Sequence, residues 1–77
     1  MGRVIVEFPE CREVFVGDKS QGNNRNEGGE YRILLIGDGI QTFSLGGGKN
    51  YTPLSQSVQV GSGSVINPQR IIFQRNA

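Results

Sequence analysis

The chain contains no histidine. That removes the side chain most used as a general base near neutral pH, and the commonest zinc ligand with it. There is a single cysteine, Cys11, so neither an internal disulfide nor a Cys–His nucleophile pair can form. A lone thiol favours a reducing compartment. It places the chain as given in the cytoplasm, or marks a domain excised from a longer envelope or surface protein. The longest apolar run, residues 33–36, is far short of the roughly 20 residues a membrane span requires, so no membrane insertion is expected. Near the N-terminus Arg3 and Glu7 bracket only Val4-Ile5-Val6, too little for a signal-peptide core. Eight basic residues against seven acidic ones leave a net charge of +1. No excess of one sign exists to attract nucleic acid or an anionic membrane.

The carboxylates carry no recognisable chemistry. Asp18 and Asp38 lie beside glycines in turns, where Asp is expected for backbone reasons. Glu7, Glu10 and Glu13 suggest no acid–base pairing, and no Asp-rich loop has calcium-ligand spacing. No catalytic residue, metal or cofactor is therefore expected, and the chain does not read as an enzyme.

What is present is glycine-punctuated β-structure. Seventy-seven residues make one domain, residues 1–77, which buries only about 60% of the surface its unfolded form exposes. Residues 3–8 alternate, with Val4, Val6 and Phe8 on one face and Arg3, Ile5 and Glu7 on the other, until Pro9 ends the strand. Residues 13–17 form a second strand and Gly17-Asp18-Lys19 a turn. Residues 30–36 carry apolar side chains on both faces, which predicts a central strand with Ile33 and Leu35 in the core. Gly37-Asp38-Gly39 then predicts a hairpin into residues 40–45. Residues 57–60 and 70–74 alternate again, with the Gly61–Ser64 turn and the short apolar step Val65-Ile66 between them. The expected fold is all-β: a small antiparallel sandwich or barrel of six to seven short strands, with no helix beyond one turn.

Two loops are candidates for recognition. Residues 20–29 hold no apolar side chain and read as a polar loop. Residues 46–53 begin with three glycines before Lys49, but the phosphate-cradling spacing fails, since Phe43 replaces the first glycine and Asn50 the Ser/Thr. Asn50-Tyr51-Thr52 matches the glycosylation acceptor pattern, which matters only in a secreted chain. Of the six aromatics, five fall at strand positions and Tyr51 falls in this loop. An exposed Tyr51 beside Lys49 and Asn50 would form a ligand-binding group for protein or glycan. A Tyr51 packed onto the sheet would leave only a linker.

The order of these motifs resembles the PEGA domain, a small bacterial β-sandwich module. The opening strand runs into Pro, here Val4-Ile5-Val6-Glu7-Phe8-Pro9 followed by Glu10, although Cys11-Arg12 stand in place of Gly-Ala. The family's Val-Asp-Gly-Lys-like turn is matched by Val16-Gly17-Asp18-Lys19. Its following Gly corresponds to Gly22, with Asn23-Asn24 in place of Thr-Pro. Gly29 before Tyr31, a late Val58–Val60 strand and a final Ile71–Phe73 strand complete the likeness. The resemblance implies an accessory or interaction module without catalysis, and transfers no site residues. The expected function is thus a non-catalytic module that contacts protein or glycan through loops or a sheet edge. The alternative is a structural subunit that homo-oligomerises through edge strands.

Overall fold

A computed structural model describes residues 2–61 and 67–76, and among these it is all-β, as expected. Strand β1 (Gly2–Glu7) is followed by the hairpin β2 (Glu13–Val16) and β3 (Lys19–Asn23). Then come β4 (Leu34–Ile36), β5 (Gly39–Leu45), the short β6 (Tyr51–Thr52), β7 (Gln56–Val60), β8 (Gln69–Ile72) and β9 (Gln74–Arg75). One sheet has the order β4-β1-β8 and the other β3-β2-β5-β7, with β6 and β9 paired as a small ladder. The ladders are antiparallel except β1–β8, where the chain returns to the first sheet parallel to β1. Residues 62–64 of the expected turn and the apolar step Val65-Ile66 lie outside the described residues.

The inner faces follow from alternation. On β1, Val4 and Val6 point inward with Phe8 just beyond, and pairing sets Leu34 opposite Val4 and Ile36 opposite Gly2. From the other sheet come Val14, Phe43, Leu45 and Val60, each nearly or wholly buried. Ile71, Phe73 and Tyr51 fill the end of this core. Tyr51 contacts Phe8 and Phe73 edge-on, with ring centroids 6.0 and 5.5 Å away. Gly2 is required where the sheets approach: a Cβ there would lie 2.7 Å from a Val60 methyl.

Three expectations are corrected. Ile33 and Leu35 are not core: they are 43% and 55% exposed, while Leu34 and Ile36 are buried. β4 is an edge strand, and the strand buried on both faces is β1, where Ile5 is also buried. Nor is there a hairpin at Gly37-Asp38. β4 pairs with β1 and β5 with β2 and β7, so this turn carries the chain from one sheet to the other. Thirdly, residues 20–23 of the expected polar loop, with Lys19 of the expected turn, form β3. An edge strand needs backbone pairing rather than apolar side chains, and a polar one resists unwanted pairing. The turn before it holds Gly17 at φ 63, in keeping with a two-residue hairpin that requires glycine first.

The two sheets are stitched along their edges. At one seam Gln69 Nε2 donates to the Gln59 carbonyl at 2.7 Å, and Gln56 donates to the Ile72 carbonyl, so β7 and β8 clasp through side chains. At the other, the Arg32 N–H donates to the Asn24 carbonyl at 2.9 Å and Arg25 bridges Tyr31.

Candidate functional site

Lys49 and Asn50 precede β6 and Tyr51 begins it, but the exposed aromatic expected there is absent. Tyr51 is only 4% exposed. Its hydroxyl donates to the Leu45 carbonyl at 2.9 Å and accepts the Leu45 N–H at 3.1 Å. Asn50 accepts from Arg12 Nη2 at 2.6 Å. Arg12 Nη1 also donates to the carbonyls of Gly46 and Gly48, both at 3.0 Å. Arg12, itself largely buried, is therefore a clamp that ties this loop to the connector after β1. Glu10 completes the clamp at 2.7 Å, with Arg75 a further 3.3 Å contact. The hydrogen bond from Arg12, assisted by the charges of Arg12 and Arg75 and opposed by desolvation, holds the Glu10 carboxyl below its usual range. Asn50 and Tyr51 thus have structural partners, and Lys49 alone of the three stands exposed.

Asn24 is the one wholly buried polar side chain among the described residues. Its amide oxygen accepts the Arg12 N–H at 2.8 Å, and its amide nitrogen donates to the Val6 and Glu10 carbonyls at 3.3 Å. Arg25 follows, stacked 4.2 Å over the Tyr31 ring and donating to the Phe8 and Gly29 carbonyls. A cleft of about 320 Å³ opens beside these residues, lined by Cys11, Asn23, Arg25, Asn26, Glu27 and Arg32. Its chemistry is weak. Arg25 is committed to backbone carbonyls, Arg32 donates to the Asn23 carbonyl at 3.2 Å, and Glu27 opposes an anion. The Cys11 thiol is exposed, 3.9 Å from the Arg25 carbonyl. Among the described residues no group of three or more His, Cys, Asp or Glu could hold a metal ion. No helix there is long and apolar enough to cross a membrane.

The surface that calls for explanation is the outer face of the three-stranded sheet. Alternation puts Arg3, Ile5 and Glu7 of β1 on this face. Leu35 lies opposite Arg3, and the same register sets Ile33 beside Ile5. From β8, Arg70 lies opposite Ile5 and Ile72 opposite Glu7. Ile33, Leu35 and Ile72 are 43%, 55% and 53% exposed, and they form an apolar band with Ile5 beneath it. Arg70 and Glu7 pair at 2.7 Å along its border. At the Glu7 end the band runs into a groove of about 270 Å³, lined by Glu7, Phe8, Pro9, Tyr31, Ile72 and Phe73. Isolated exposed aliphatics need no explanation; several sharing one sheet face beside a groove make this face the candidate site.

The apolar residues of this face were visible in the sequence, but their placement was not. Ile33 and Leu35 look like core because their neighbours Leu34 and Ile36 are equally apolar. The roles of Arg12, Asn24 and Arg25 were not legible, because each also holds partners 12 to 38 residues away along the chain. No family model, curated protein or solved structure matches the chain.

Proposed function

We propose that this chain is a non-catalytic interaction module whose recognition surface is the outer face of the β4-β1-β8 sheet with its adjoining groove. The observation that carries this is the shared exposure of Ile33, Leu35 and Ile72 on one face. An aliphatic surface bordered by arginine and glutamate suits a polypeptide. Glycan recognition wants an exposed aromatic platform, and each of the six aromatics is buried or half-buried, with the Tyr31 ring covered by Arg25. The PEGA-like order of motifs is in keeping with an accessory module. The alternative, a structural subunit that pairs through edge strands, draws on β4, the short edge strand that carries the exposed Leu35.

Photo-crosslinking side chains placed singly at Leu35, Ile72, Ile40 and Lys49 test the reading in the protein's own cell extract. Adducts to polypeptide are expected from Leu35 and Ile72, and to disappear on Ile33→Asp. Adducts from Lys49 alone would return recognition to the 46–53 loop.

A further inference from the structure

We infer that the occupant of this face is a second copy of the chain, packed face to face with its β1 antiparallel to the first. The inference rests on the module reading above and names its partner. Along the outer side of β1 the order is Arg3, Ile5, Glu7: cation, apolar, anion, the two charged residues half-buried and Ile5 buried between them. Such a row is complementary to its own reverse. A twofold axis across the strands at Ile5 sets Arg3 of each copy against Glu7 of the other, so one surface serves both partners. The same rotation brings Ile33 over its counterpart. It also moves Leu35, level with Arg3, to the level of Glu7, where the groove lies. An exposed leucine then meets a groove lined by Pro9, Tyr31 and Ile72 in both directions. The rotation also sets Arg70, level with Ile5, over its counterpart, but its ion pair draws each guanidinium toward its own Glu7, so the two cations point apart along the strands, and their 58% exposure keeps them at the rim. Three short strands offer roughly 300 Å² per copy, well under a standard interface, so the pair is weak and exchanges quickly.

Sedimentation equilibrium of the whole chain over about two decades of concentration, reaching the weak-binding range, measures the association. Wild type is expected to shift from monomer to dimer. Arg3→Glu alone and Glu7→Arg alone each place like charges across the axis and should weaken association by at least about tenfold. Mixing these two variants in equal amounts restores opposite charges at both ends, and dimer should return as a heterodimer. Leu35→Asp, a substitution at an exposed site, should abolish it in every combination. Circular dichroism confirms that each variant is folded. Dimers that are indifferent to the charge changes, or variants that fail to recover on mixing, would overturn this arrangement. Wild type monomeric throughout overturns self-association; photo-adducts from Leu35 to a different polypeptide would then leave the module reading standing with another partner. Adducts from the face to a second copy alone, with a dimer that obeys the charge swap, would instead limit the face to self-recognition.

Discussion

Asn24 joins three stretches of chain through one amide: the end of β1, the connector at Glu10 to Arg12, and the start of the 24–33 segment. Replacing it with Leu keeps the volume but leaves the Arg12 N–H and two carbonyls without their partner. Stranded buried polar groups cost about 1–3 kcal/mol each, so Asn24→Leu should lose at least about 3 kcal/mol in urea unfolding. A loss under about 0.5 kcal/mol, the usual value at an exposed site, would mean that water reaches these groups. Tyr51 allows a finer comparison. Its ring is core and its hydroxyl serves both backbone groups of Leu45. Tyr51→Phe should therefore cost about 1–2 kcal/mol, while Lys49→Ala costs next to nothing. Equal and small effects would place the hydroxyl in solvent. Of the triplet 49–51, the residue types were legible but their roles were not, because a hydroxyl's partner is a matter of three dimensions.

At the scale of elements, β4 is a test of parity. Leu34→Ala and Ile36→Ala should each cost about 2–5 kcal/mol, whereas Leu35→Ala should stay within about 0.5 kcal/mol. Reversal of that order by chemical denaturation would put the strand the other way up. The connector 8–12 carries the pH dependence. The Glu10 carboxyl is lowered in the folded chain, chiefly by its hydrogen bond from Arg12. A depressed carboxylate contributes stability above its unfolded pKa, and that contribution is lost as pH falls through the folded value. Melting temperature should thus decline as acid passes through and below the ordinary carboxylate range, and Glu10→Gln should flatten that decline. An unchanged acid limb in Glu10→Gln would assign it to other carboxylates.

For the whole molecule, both sheets contribute to one core cluster, and the edges are clasped by Gln56 and Gln69 on one side and by Asn24 on the other. Neither sheet has an apolar interior of its own. Unfolding should therefore be one cooperative transition, with circular dichroism and tyrosine fluorescence giving the same midpoint. Phe43→Leu in one sheet and Ile71→Val in the other should lower that shared midpoint together, without separating the probes. Two resolved transitions would show that the sheets unfold independently.

What the residues determine by themselves is the β class. Period-two apolar spacing, broken by glycine and proline, leaves no stretch for a helix, and none forms among the described residues. The inward Val4, Val6 and Phe8 face, and Ile71 and Phe73 opposite Ile72, were equally legible, because in each case one face is plainly more polar or ends early. Tertiary structure decided the rest. In residues 33–36 both parities bury a pair of aliphatics, and only the antiparallel pairing that aligns Leu34 with Val4 selects one. Gly37-Asp38 reads as a hairpin locally, but a turn's residues do not say whether the strands beside it hydrogen-bond to each other or to different sheets. The polar 19–23 stretch became a strand because β2 offered its backbone edge. The buried state of Asn24, the Arg12 clamp and the exposed face of β4-β1-β8 all depend on contacts distant in sequence, which alternation along one strand cannot encode.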